Sequence, residues 1–208
     1  MLHMKRSLLL TILIFIVAAA AANGEVVTRL EGEAAKDFAQ RYAPSGGEIV
    51  GNVIEAEAFG AKRAVIAFYK LEFKAKYDYT EVHGYLYMPR TGDEYDKVLI
   101  NKFEEEGATP MIESVFFANA DKDAAKELIV ICSWEQDHYD VSGKLYATSI
   151  FDNIAGSKAP EKMKYLKNVS DKVSGGYDCS YRDRRIKADK RFKTAPQVRE
   201  GLKKLGYK

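Results

Sequence analysis

Apolar and polar side chains alternate with period two along much of the central chain, which predicts β-strands with one face turned inward. In the segment 62–74, Tyr69, Leu71 and Phe73 fall on one face, and Lys70, Glu72 and Lys74 on the other. In 81–88, Val82, Leu86 and Met88 oppose His83, Tyr85 and Tyr87. The runs 113–118 and 127–134 are nearly continuous in apolar residues, as buried central strands are. Segments 95–103 and 144–151 add two more strands. Connections between them are short and carry Gly, Asp and Asn, so the pairing is antiparallel and the sheet a meander.

A period of 3.6 takes over at both ends. Within 30–43, Ala34, Phe38 and Tyr42 share a helical face with Ala35 and Ala39 beside them, and Pro44-Ser45-Gly46-Gly47 ends the helix. Met163, Leu166, Val169 and Val173 repeat at helical spacing behind Pro160, and Gly175-Gly176 stops them. In 194–207, Thr194 is the expected cap and Gln197 the other half of a capping box. Val198, Leu202 and Leu205 form the stripe, and Gly206 closes the end. The predicted class is α+β: one antiparallel meander sheet flanked by an N-terminal helix and two C-terminal helices, with the far sheet face open to solvent or a ligand.

Residues 1–22 break both patterns. Lys5 and Arg6 precede an apolar run, Leu8 to Val17, and small residues Ala18 to Ala22, the layout of a signal peptide cleaved after Ala22. An uncleaved anchor is the alternative, although the run is short for a bilayer span. No cysteine near the cleavage site offers a lipid attachment point. The expected product is a single α+β domain, 23–208, periplasmic or secreted, without stable membrane insertion.

Charge divides that domain. Residues 25–157 hold 14 Lys and Arg against 24 Asp and Glu, net −10, whereas 158–208 hold 16 against 6, net +10. Either the basic segment docks on the acidic body, or it offers a cationic surface to a partner such as a cell-envelope polymer. Nucleic acid is not an expected partner in that compartment. There an even pair of cysteines, Cys132 and Cys179, is expected to form a disulfide, the alternative being two unpaired thiols with Cys132 buried.

The chemistry-bearing stretch is 119–130, where Asn119, Asp121, Asp123 and Glu127 occupy relative positions 1, 3, 5 and 9. Alternate oxygen-bearing side chains in a tight loop converge, and hard cations such as calcium take such oxygens as ligands. This stretch resembles the D-x-D-x-D-G-x-x-D-L calcium loop of the integrin-type (FG-GAP) and VCBS repeats. The resemblance implies calcium held by the acidic positions and an apolar strand directly after. Ala124 stands where the repeats have glycine, and Asn119 where they have the first aspartate. Only one copy is present, so the multi-bladed architecture of those families does not follow.

Two further groups are candidate ligand contacts. Trp134, Glu135, Asp137, His138 and Tyr139 make a polar-aromatic stretch suited to sugar or peptide contact, or else a hairpin end with Trp134 buried. His83, Tyr85 and Tyr87 form a stacking platform if their face is open, and core if a helix covers it. Catalytic signatures are absent: after leader removal only His83 and His138 remain, and no H-E-x-x-H, C-x-x-C or G-x-S-x-G spacing occurs. The expected function is non-catalytic binding of a ligand or partner outside the cytoplasm. The alternative is a hydrolase acting on envelope polymers through acids such as Glu135 and Asp137.

Overall fold

The computed structural model describes residues 25–154 and 159–207. The expected leader, 1–22, lies outside them. In chain order the elements are β1 (Glu25–Thr28), α1 (Ala35–Arg41), β2 (Glu48–Ala58), β3 (Ala61–Phe73), β4 (Tyr79–Pro89), β5 (Glu94–Phe103), β6 (Met111–Ala118), β7 (Glu127–His138), β8 (Val141–Phe151), α2 (Lys167–Lys172), β9 (Tyr177–Tyr181) and α3 (Ala195–Lys204). The fold is α+β, and from β2 to β5 and from β6 to β9 the strands pair antiparallel with their chain neighbours, as the alternation predicts, while β1 pairs antiparallel with β5.

The strands form two sheets rather than one. Their orders are β1-β5-β4-β3-β2 and β6-β7-β8-β9, and the chain crosses between them after Phe103. Three apolar clusters fix the layering. Ile66, Phe68, Leu86 and Ile100 of the first sheet share one cluster with Leu128, Val130, Cys132 and Trp134 of the second, so the sheets pack face to face. Val65, Ala67, Tyr69 and Tyr87 on the opposite face are covered by Phe38 and Ala39 of α1. Ile129, Ile131 and Ile150 are covered by Val169 of α2 and by Val198 and Leu202 of α3. The order is helix, sheet, sheet, helices, and neither sheet leaves the open face that a single-sheet arrangement provides.

The helices depart from their predicted bounds for identifiable reasons. The chain before α2 is extended: Lys162 bridges Leu99 in parallel and Tyr165 bridges Phe151. Leu99 N–H donates to Glu161 O at 2.9 Å, and Met163 N–H to Leu99 O at 2.8 Å. Met163 therefore enters the inter-sheet core, while Leu166, Val169 and Val173 face α3, and the apparent helical stripe is divided between two cores. At α3, Thr194 makes no side-chain cap; Gln197 instead accepts the Lys193 N–H at 2.9 Å, and Leu205 is exposed.

The expected disulfide does not form: Cys132 and Cys179 are both free and buried. Cys132 lies opposite Ala147 and Cys179 opposite Gly143, so β8 separates them and they sit four residues apart along it. Two strand spacings and four residues of rise place the α-carbons more than about 15 Å apart, against a limit of about 7 Å. Gly143 explains how closely β9 approaches. It has φ +149°, and a β-carbon there would lie 2.7 Å from Cys179 Cα and 3.0 Å from its Sγ.

Among the described residues the basic segment makes a single charge contact with the acidic body. Its acids serve its own cations, in Arg185–Asp183, Arg191–Asp189, Lys193–Asp178, Lys167–Asp171 and Lys204–Glu200 pairs. Among the described residues only Lys164–Asp152, at 2.7 Å, joins the two regions. Apolar burial of α3 and α2 attaches the segment. No helix of the described residues is long and apolar enough to cross a membrane.

Candidate metal centre

The loop 119–126 joins β6 to β7 and closes on itself through its own side chains. Asn119 Oδ1 accepts the Asp121 N–H at 3.3 Å, Asp121 Oδ1 the Asp123 N–H at 2.8 Å, and Asp123 Oδ1 the Ala125 N–H at 2.7 Å. Each is an oxygen bonding the backbone two residues on, the turn chemistry that Asn and Asp favour. Asn119 Nδ2 also donates to Asp123 O at 2.9 Å, so both ends of that amide brace the loop. Ala124 keeps a negative φ. The loop therefore needs no glycine at that position, and alanine sits there without backbone strain.

Three of the four expected ligands come together. Asp121, Asp123 and Glu127 each present a carboxylate oxygen, all within 4.8 Å of one another. Glu127 is the first residue of β7 and has no exposed surface (0 %). Its Oε2 accepts the Ala120 N–H, while its Oε1 is buried without any hydrogen-bond partner. The other such oxygen among the described residues, Thr148 Oγ1, is a neutral hydroxyl. Burial, with Asp121 and Asp123 adding to it, pushes the Glu127 carboxyl above its ordinary range. A buried carboxylate beside two others is costly unless a cation offsets it, and an all-oxygen acidic set suits a hard divalent ion.

Asn153 belongs to this site and carries no periodic or motif signal. Its Nδ2 donates to Asp123 Oδ2 at 2.9 Å from across the hairpin. The β7–β8 register, with Leu128 opposite Phe151, brings residues near 153 beside the loop. Only that hairpin pairing makes the contact legible.

The other candidate ligand residues are dispersed. Trp134 is buried and its Nε1–H donates to Glu104 O at 2.9 Å; the adjacent Gln136 donates to Glu106 O at 3.1 Å. Both pin the crossover between the sheets, so Trp134 is not a contact surface. Glu135 is exposed and 3.5 Å from Lys144. Asp137, His138 and Tyr139 are exposed at the hairpin end, and Tyr139, 85 % accessible, lies under the Arg182 guanidinium at 4.4 Å.

Of the His83, Tyr85 and Tyr87 face, Tyr87 lies under α1 and His83 is buried, so the three rings do not make one open platform. Tyr87 has no accessible surface and packs edge-on against Phe38, with ring centres 5.1 Å apart. His83 is buried and its Nε2 lies 2.6 Å from Glu81 Oε2. Tyr85 is half-buried, with Lys97 Nζ 5.0 Å from its ring centre. Searches against protein-family models, curated proteins and solved structures find no match for this chain.

Proposed function

We propose that this is an exported, non-catalytic binding protein, acting in the periplasm or outside the cell, whose 119–127 loop holds a calcium ion. The observation that carries the reading is the Glu127 Oε1, buried without a partner beside Asp121 and Asp123. In this reading Asp121, Asp123 and Glu127 supply the charged ligands, and Asn119 and Asn153 hold the loop in shape. The ion offsets three carboxylates and locks the β6–β7 connection to the end of β8. The exposed cations left over after internal pairing, Arg184, Lys187 and Lys190 among them, support an anionic cell-envelope polymer or an acidic protein as partner.

Thermal melting in EDTA and then in excess calcium tests the cation reading. A ligand at about a hundred times its Kd adds about 2.7 kcal/mol, which for a chain of this size raises Tm by about 5–10 °C. An unchanged Tm at millimolar calcium overturns it. Cell fractionation of the full-length chain tests the compartment, with the expected product in the periplasmic or culture fraction and a cytoplasmic product overturning export.

A further inference from the structure

A second site lies between the end of β6 and the C-terminal half of α3, a cavity of about 380 Å³. Its apolar lining comes from Phe117, Leu202 and Tyr207, and its charged lining from Lys126, Arg199 and Lys203. No Asp or Glu lines it. Among the described residues no carboxylate oxygen lies within 4.0 Å of any of the three cations, although the neighbouring Lys204 is paired with Glu200 at 3.7 Å. The Arg199 guanidinium sits over the Phe116 ring at 4.5 Å, which holds its plane while leaving its N–H donors without acceptors.

Three unpaired cations around an apolar hollow repel one another and raise the local potential, and an anion relieves both effects. A guanidinium already held on an aromatic face loses little freedom when it pairs bidentately with an oxyanion. We propose that this cavity binds a small amphiphilic anion, its carboxylate or phosphate head on Lys126, Arg199 and Lys203 and its apolar body against Phe117, Leu202 and Tyr207. The volume falls in the range of small-molecule sites. The cavity adjoins the cation loop, since Asn119 and Lys126 line it, but Asp121, Asp123 and Glu127 do not, so its anion contacts need no bound cation.

Isothermal titration calorimetry of the full-length exported chain with octanoate, and separately with octyl phosphate, tests this in EDTA, so that failure of the calcium reading leaves the result intact. Saturable one-to-one binding of either probe is expected, with none for octanol. The double variant Arg199→Gln/Lys203→Gln should weaken the bound probe by about tenfold or more, Lys126→Gln should weaken it independently, and Lys36→Gln, on α1, should leave it unchanged. All the mutated side chains are exposed, so the fold is retained. Absence of saturable binding for both anions, equal binding by the double variant and Lys126→Gln, or equally tight binding of octanol overturns the proposal.

Discussion

Tyr87 donates its phenolic proton to the oxygen of Tyr69, 2.8 Å away, under the cover of α1. The direction follows from the next link, because Tyr69 donates its own single proton to Ala39 O at 2.6 Å. Burial pushes the Tyr69 hydroxyl up to about 12 and raises that of Tyr87 further, so both stay neutral across the working pH range. The relay ties the first sheet to α1. Tyr69→Phe leaves the Ala39 carbonyl unpaired and the Tyr87 hydroxyl with only the long 3.5 Å contact to Tyr42 O, and should cost about 2–3 kcal/mol, whereas Tyr87→Phe leaves the Ala39 bond intact and should cost about 1. Urea unfolding of both variants checks the order; equal losses contradict the relay.

Why one arrangement was legible in the sequence and another was not is clear from β3 and β4. Period two assigns Val82, Leu86 and Met88 to one face and His83, Tyr85 and Tyr87 to the other, and the structure keeps that division. What buries each face is not local. The unbroken burial from Ala64 to Tyr69 arises because a second sheet covers one side and α1 the other. The acidic loop was legible for the opposite reason. Asp121, Asp123 and Glu127 converge through turns two residues long, which spacing alone encodes, whereas Asn153 and the separation of Cys132 from Cys179 depend on strand register.

Arg29 anchors the end of β1 through both of its neighbours. Its guanidinium donates to Glu33 O at 3.0 and 2.8 Å and to Glu55 Oε1 at 2.8 Å, and it is only 6 % exposed. Arg29→Met breaks this set and should cost about 2–4 kcal/mol. It should also change the response to acid. The Arg29 hydrogen bond holds the Glu55 carboxyl below its ordinary value near 4.5, so the pair stabilises the fold above that pH. That stability is lost as pH falls through the folded-state value. Tm against pH from 7 to 3 should therefore fall less steeply in the variant; parallel curves refute the linkage.

Both cysteines should alkylate in the unfolded chain without a reductant. Iodoacetamide in guanidinium should add two labels per molecule by mass spectrometry. In the native protein labelling should be slow, because burial raises both thiols, that of Cys132 up to about 12, and the thiolate is the reactive form. Zero labels in the unfolded chain require a disulfide, and with it a strand order in which β7 and β9 are not separated by β8.

Glu127→Gln separates the cost of the buried carboxylate from the benefit of a bound ion, because the two act with opposite sign. Burial raises the Glu127 carboxyl in the folded state, so the metal-free protein holds this proton more tightly than the unfolded chain does. The contribution of Glu127 is then most favourable below the unfolded value and is lost as pH rises through the folded one. Glutamine keeps an oxygen for the Ala120 N–H, carries no charge, and turns amide donors towards Asp121 and Asp123. In EDTA the variant should match or exceed the parent Tm at pH 7, by a margin that shrinks towards pH 4. In excess calcium the order should reverse, since the variant lacks the ligand and its Tm should not move. A variant less stable than the parent in EDTA at pH 7 means that the Glu127 carboxylate is already satisfied without a cation, and the case for the ion fails with it.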